Sequence, residues 1–416
     1  MTPSPLDHRK LYRLPWSLSD NPIAWLEPTQ QCNLACDGCY RENRTTHQSL
    51  DEVQSDLDVF ARLRTFDGVS IAGGDPLVHP EIVGIVRRVT AMGRKAIINT
   101  NGLALTREML VELKKAGLVG LTFHVDSRQG RPGWRDKTEV QMNELRSRFV
   151  ELVSSVGDLA VAFNSTVYNE TLHEVPDLVA WAEQNIGRVH TMVFITYRAA
   201  TTDGFDYYAA GKKVDISPLV YSIENERRID ISSRDVVDVV RRRFPEFEPC
   251  AYLNGTEKPD SFKWLVATRV GRAGRVHGYA GSKFMEFVQS GYHLIAGRYM
   301  SYAPSWSLAA GRSTMAAAVF DRGIRRAAGH YVRAIARDPR EALHTLHMQT
   351  IVMIQPIDLL EDGRQNMCDG CPDMTVHNGQ LVWSCRLEEH RKFGRNLTAA
   401  PCEHAPAGRR ASAAAK

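Results

Sequence analysis

Six of the eight cysteines fall into two short groups, and their spacing suggests chemistry. Cys32, Cys36 and Cys39 form C-x3-C-x2-C. Three thiolates so spaced can wrap one face of a cubane iron–sulfur cluster and leave one iron without a protein ligand. An open metal position is what a site needs if it is to bind a small molecule. Zinc is the main alternative, but structural zinc normally wants four ligands in paired C-x2-C spacing, and none lies beside this trio. Further on, Cys368-x2-Cys371 is followed after thirteen residues by Cys385. Asn378-Gly379 is a hairpin signal between 374–377 and 380–384, and such a hairpin returns Cys385 to the Cys368/Cys371 loop. This second trio fits an auxiliary iron–sulfur cluster, with zinc as its competitor. Cys250 and Cys402 remain. Cys402, separated from Cys385 by sixteen residues, is the better candidate for a fourth ligand, and an uninvolved thiol is the plain reading of both.

Other polar groups recur at regular intervals, and the elements around them explain why. Apolar strand-like runs lie at 23–26, 69–72, 96–99, 120–125, 160–167 and 191–195, with helical patterns between them. Ser49 and Glu52 form a capping box before an apolar face at Val53, Leu57, Phe60 and Leu63. Thr106 caps the next helix, Gly117 ends it, and further helices fit 137–154 and 175–185. Strands alternating with helices imply a parallel α/β sheet with right-handed crossovers: a barrel, a partial barrel or an open doubly wound sheet. The first cysteine group follows the first strand, Gly73-Gly74-Asp75-Pro76 the second, Asn99-Thr100-Asn101-Gly102 the third and His124-Val125-Asp126-Ser127 the fourth. Asn164-Ser165-Thr166 lies in the fifth. Chemistry in parallel α/β folds gathers at the carboxyl ends of strands, where these groups stand.

Taken together, these motifs resemble the radical S-adenosylmethionine superfamily over roughly residues 20–198. The resemblance implies a partial (β/α)6 TIM-type barrel at 22–198. It also implies a [4Fe-4S] cluster on Cys32, Cys36 and Cys39, with S-adenosylmethionine chelating the open iron. One electron then breaks the sulfonium carbon–sulfur bond, and a 5′-deoxyadenosyl radical removes hydrogen from an unactivated carbon. The cofactor-binding set carried over is Tyr40, Gly73, Gly74, Asp75, Pro76, Asn99, Asn101, His124, Asp126, Ser127, Asn164 and Ser165. Asp75 stands where the family usually has Glu. Gly38 stands where it often has an aromatic residue near adenine, and Tyr40 is the expected substitute. The second trio resembles the auxiliary-cluster module of the molybdenum-cofactor GTP cyclase and, more broadly, twitch and SPASM-like modules. It implies a second [4Fe-4S] cluster at Cys368, Cys371 and Cys385. The 199–350 segment and the missing Gly-Gly C-terminus set the chain apart from that cyclase. The first cysteine loop is also similar to that of hopanoid-lipid radical enzymes, which share Gly before the third cysteine.

The rest of the chain bounds the reading. With 416 residues, 43% apolar and 24% charged, it is long enough for more than one domain and ordinary in globular composition. A net charge of +4 from 52 basic and 48 acidic residues is too small an excess to suggest a nucleic-acid partner. No apolar run reaches the ~18 residues of a membrane span, and no secretory signal is read, so a cytoplasmic location with reduced thiols is expected. No flavin or nicotinamide fingerprint appears, which implies an external ferredoxin or flavodoxin as electron donor. The expected layout is an N-terminal extension at 1–21, the barrel at 22–198, a mostly helical substrate-shaping region at 199–350, an auxiliary-cluster module at 351–403 and a disordered tail at 404–416. Phe284, Phe287, Tyr292, Tyr299, Tyr302 and Trp306 read either as core or as an apolar channel. The amphipathic segment 312–340 carries Arg312, Arg322, Arg325, Arg326, Arg333, Arg337 and Arg340. It reads either as a solvated face or as a surface for anionic lipid or a phosphorylated substrate, with peripheral membrane contact as the sharper partner reading. Arg128, Arg131, Arg135 and Lys137 follow the fourth strand as an exposed loop or an anion clamp. The substrate expected is an apolar or lipid-like metabolite. A ribosomal peptide, a nucleotide or sugar, and a non-catalytic metal-stabilised or electron-transfer protein are the alternatives. Only 22 residues precede the first strand, which ranks the peptide lower.

Overall fold

In the computed structural model the described residues are 6–223, 229–303 and 308–402. Trp306 and the tail 404–416 lie outside them. Six strands stand side by side in chain order, all parallel: Ile23–Leu26, Gly68–Ile71, Lys95–Thr100, Leu118–His124, Ala160–Val167 and Thr191–Thr196. Helices Leu50–Leu63, Ile82–Ala91, Arg107–Lys115, Asn143–Ser154 and Val175–Gln184 connect them. The elements form where the residues favour them. Ser49 and Glu52 close the capping box on the first helix, whose Val53, Leu57 and Phe60 are buried. Thr106 accepts from the Met109 amide at the start of the third. Every position of Gly68–Ile71 is buried, as expected of a parallel strand covered on both faces. Stacked rings of Phe123 and Phe149, 4.6 Å apart, join sheet to helix.

The result is a partial (β/α)6 barrel that stays open: no hydrogen bonding joins its first strand to its sixth among the described residues. The sheet instead continues from Thr191–Thr196 through His347–Ile354, Trp264–Arg272, Ala251–Leu253 and Tyr12–Arg13, reaching eleven strands with Arg275–Tyr279 at its side.

This continuation departs from two features of the expected layout and adds a third. The 199–350 region is not mostly helical throughout, since it supplies the buried strand Trp264–Arg272; helices prevail only from Ser282–Ala296 onward. Arg269 hides that strand in the sequence. It breaks the apolar run, yet is fully buried with its guanidinium donating to Gln349 Oε1 and the Val179 carbonyl. The boundary at 350/351 cuts the strand His347–Ile354, which belongs to the main sheet. The 1–21 extension is tied down too, because Tyr12–Arg13 is an edge strand. The fourth barrel helix begins at Asn143 rather than near 137, since the preceding loop places Glu139 to pair with Arg146.

Candidate functional site

The first cysteine loop is held from several sides. Asn43 brackets Cys32, accepting from its amide at 3.0 Å and donating to its carbonyl at 3.0 Å. Amide N–H groups of Leu34 and Arg41 approach the Cys32 and Cys39 sulfurs at 3.5 and 3.4 Å, and Asn101 Nδ2 reaches Cys32 Sγ at 3.7 Å. Cys32 and Cys36 are half-buried and Cys39 is exposed. Burial pushes all three thiols above the usual range, and for Cys32 and Cys36 the proximity of other cysteines adds to the shift. Three thiols on one loop facing one cavity, with N–H groups aimed at two of the sulfurs, are a donor set whose chemistry fits a cationic iron–sulfur cluster, although among the described residues no three ligands already stand at metal-holding distances.

Gly73 and Gly74 fold onto the segment leading into this loop. Gly73 has φ +110°, and a Cβ there would lie 2.3 Å from the Thr29 carbonyl oxygen; one on Gly74 would lie 2.2 Å from that of Gln31. The amides of Gly74 and Asp75 donate to those same carbonyls at 2.9 and 2.8 Å. Only glycine lets the second strand's end lie this close to the cysteine loop.

A cavity of about 610 Å³ opens against the thiols and runs down the inside of the barrel. Its upper end is lined by Cys32, Cys36, Cys39, Tyr40, Gly73, Gly74, Asn99, Asn101, His124 and Asn164. Asp75, Pro76, Asp126, Ser127 and Ser165, expected to contact the cofactor, stand behind this lining. The Asp75 carboxylate accepts from Thr100 Oγ1, the Asn101 amide and the Leu77 amide, fastening the second strand's end to the third. Asp126 accepts from the Arg128 amide and pairs with His124 Nε2 at 3.0 Å; burial opposes its charge, but that partner holds it below the usual range. Ser165 Oγ and the Ser127 amide both donate to Glu139, which pairs with the buried Arg146. The anion clamp does not assemble. Arg131 is buried and donates to the Asn101 and His124 carbonyls, while Arg135 and Lys137 point to solvent.

Sequence reasoning missed Tyr168, Gln129 and Arg41 in the lining, which also includes Thr166 of the expected fifth-strand group. Tyr168 answers the question raised by Gly38, since a Cβ at Gly38 would come within 2.6 Å of its phenol oxygen. An aromatic ring from the end of the fifth strand thus occupies the space beside the third cysteine. Tyr40 turns instead toward Ser384 beside the second cysteine group, with the Arg41 guanidinium 4.6 Å over its ring.

The second group is drawn together by its hairpin. Asn378 and Gly379, at φ 49° and 74°, make the tight turn between Met374–His377 and Gln380–Trp383, and Cys385 follows in a short 3-10 turn. The Cys368 and Cys371 thiols share a hydrogen bond, and Cys385 is near enough for their charges to interact. Burial pushes Cys385 up to about 12. The loop is clamped from outside: Arg64 donates to the Cys371 and Pro372 carbonyls, and Asn21 Nδ2 to the Gly370 carbonyl. Cys402 does not join. It ends the strand Thr398–Pro401 in a separate three-stranded sheet, and its thiol bonds to Asp206. Cys250 is buried and bonds to the Val266 carbonyl.

A buried bridge links the two groups. Arg41, two residues after Cys39, donates to Glu27 at 2.6 Å and to Ser384 Oγ, beside Cys385, at 2.8 Å. Burial alone would raise Glu27, but Arg41 holds it below the ordinary carboxylate range. Asp373, which lines the cavity next to the second trio, is raised to about 7 by burial.

The lower end of the cavity meets the 282–303 segment. Asp67, just before the second strand, accepts from Lys95 Nζ, Tyr292 Oη, Arg298 Nε and the Ser301 amide, all within 3.1 Å. Lys95 also holds the Tyr302 carbonyl, and the Tyr302 phenol lies beside Ser70 and Thr122 inside the barrel. Tyr302 and helix Ser282–Ala296 thereby floor the cavity, whose walls there are mostly apolar, with Met285, Val288, Val266 and Val352 among them.

Comparison with known proteins agrees with this geometry. Residues 26–182 match the model of the Radical SAM superfamily. Among curated relatives, the AdoMet-dependent heme synthase of Methanosarcina barkeri is 26% identical over 223 residues, covering 51% of this chain and 60% of its own. GTP 3',8-cyclase 1 of Mycobacterium tuberculosis is 29% identical over 191 residues, covering 42% of this chain and 52% of its own. Streptococcus suis SuiB bound to S-adenosylmethionine superposes with a TM-score of 0.39 at 14% identity, covering 55% of this chain and 47% of that one. The match thus spans about half the length of each relative. No helix among the described residues is long and apolar enough to cross a membrane. With three thiols set at the carboxyl end of the first of six parallel strands, and a family match that takes in that loop and the next four strands, residues 26–182 are similar to the Radical SAM superfamily and form a domain of that kind.

Proposed function

We propose that this chain abstracts hydrogen from an unactivated carbon of an apolar or lipid-like metabolite lodged in the barrel. The observation that carries the proposal is the single cavity that begins at the cysteine loop and descends between largely apolar walls to Tyr302. The relatives are named for a heme product, a GTP and a peptide, so their names do not agree on one substrate, and the walls carry the choice. When bound, a [4Fe-4S] cluster with S-adenosylmethionine supplies the carbon-centred radical. This chain's residues do the rest. Cys32, Cys36 and Cys39 hold the cluster, and Gly73, Gly74, Asn99, Asn101, His124 and Asn164 frame the cofactor. Tyr168 covers it in place of an aromatic residue at position 38, and Asp75, Asp126, Ser127 and Ser165 keep that frame in shape. Cys368, Cys371 and Cys385 hold a second cluster, whose wall includes Asp373. A ferredoxin or flavodoxin in the cytoplasm supplies the electron.

Two measurements test this. Reconstituted anaerobically with iron and sulfide, and reduced with dithionite, the protein is expected to convert S-adenosylmethionine to 5′-deoxyadenosine. A strain lacking the chain is expected to lose an apolar metabolite and accumulate its unmodified precursor. Accumulation of a peptide or a nucleotide instead would overturn the substrate class.

A further inference from the structure

Helix Ser282–Ala296 has two faces. Phe284, Met285 and Val288 line the cavity. Phe287, Leu294 and Ile295 point away and are 64%, 86% and 89% exposed. Gly291 lies between them on that outer face, and a Cβ there would meet nothing within 4 Å. The apolar surface continues across the chain. The Phe287 ring lies 5.4 Å from that of Phe320, next to Val319, which is 84% exposed. Contiguous exposed apolar groups of this size mark a contact surface rather than chance exposure.

Charge then says what the contact is. Helix Arg322–Arg337 starts two residues after Phe320 and carries Arg322, Arg325, Arg326, Arg333 and Arg337 with no Asp or Glu. Among the described residues only Arg326 has a carboxylate partner, Glu248. Arg325 is fixed at the edge of the apolar patch, donating to the Ala318 and Val319 carbonyls.

We infer that this surface docks on an anionic lipid bilayer. Phe287, Val319, Phe320, Leu294 and Ile295 enter the interface while the arginines meet lipid phosphates. A nucleic acid would satisfy the arginines and leave the apolar groups in water. A second copy of the chain would cover the apolar groups and set one arginine face close to another. Only an acidic, apolar-cored surface satisfies both. Helix Ser282–Ala296 then stands between bilayer and cavity with a face in each. Delivery of substrate from the bilayer rests on the apolar-substrate reading; the docking itself does not.

Vesicle sedimentation of the full chain, without iron or cofactor, tests the docking alone. Binding to phosphatidylcholine vesicles containing phosphatidylglycerol is expected to exceed binding to phosphatidylcholine alone by at least about tenfold at low salt. The triple variant Phe287→Ser, Val319→Ser, Phe320→Ser is expected to lower it about tenfold, with unchanged circular dichroism. Val319→Ser alone, at a side chain almost wholly in water, gives a smaller loss in the same direction. Arg322→Glu with Arg325→Glu should lower binding similarly and flatten its salt dependence. Equal binding to both vesicle types, or binding untouched by either set of substitutions, overturns the proposal. So does a dimer by light scattering that the triple variant dissolves while vesicles are ignored, or duplex RNA binding that the triple variant retains in full.

Discussion

The two cysteine groups are built in opposite ways. The first sits in one continuous loop after a parallel strand, and its sulfurs face the cavity with Cys39 exposed. The second is assembled by a hairpin that returns Cys385 to a loop whose Cys368 and Cys371 are buried. The first loop is shaped from inside by the backbone of Gly73 and Gly74. The second is gripped from outside by Arg64 and Asn21. A site that must admit a small molecule needs its ligands at an opening, whereas a site that only has to persist can be closed over by its own chain. The Glu27–Arg41–Ser384 bridge fixes the spacing between the two.

The largest effect should come from the open group. Cys36→Ala is expected to abolish formation of 5′-deoxyadenosine in the dithionite assay; a variant with full activity would remove the first group from the chemistry. Next comes the bridge. Arg41→Met strands Glu27 in a buried site, and breaking such a pair costs about 3–5 kcal/mol in urea unfolding. Because Glu27 is held below its ordinary range, its contribution is present above that range and should fade as the pH falls through the depressed value. A Glu27→Gln chain should therefore lose less stability on acidification than the wild type. In the closed group, Cys385→Ala should lower iron per chain while some S-adenosylmethionine cleavage survives, and Cys402→Ala should leave iron unchanged. Equal iron loss in both would mean that the Cys402 thiol leaves Asp206 for the cluster. The smallest effect should be at Gly38→Ala, which presses on Tyr168 and should cost about 1–3 kcal/mol. Tyr168→Phe in the same chain removes the crowding oxygen and should recover most of that loss in thermal melts.

What the sequence made legible follows from distance along the chain. The six strands, the Ser49 capping box, the Asn378-Gly379 turn and both cysteine groups rest on short-range patterns, and all are present. Features the sequence did not reveal mostly depend on residues far apart. Arg269 interrupts an apolar run, and its partner Gln349 lies eighty positions on, so nothing near it in sequence marks it as buried. Asp75 and Asp126 stand behind residues that line the cavity: the Asp75 carboxylate ties to Thr100 and Asn101, twenty-five positions on, and that of Asp126 to its near neighbours His124 and Arg128. Tyr168 carried no motif at all, and only the space above Gly38 reveals its place.

Asp67 separates the two ends of the chamber. The chamber's depth is fixed where this carboxylate gathers Tyr292, Arg298 and Ser301, at the end of the strands remote from the thiols. Editing residues 298–303 alone would therefore deepen or shorten the chamber, as one moves the stop on a measuring bench, while the end at the thiols stays as it was.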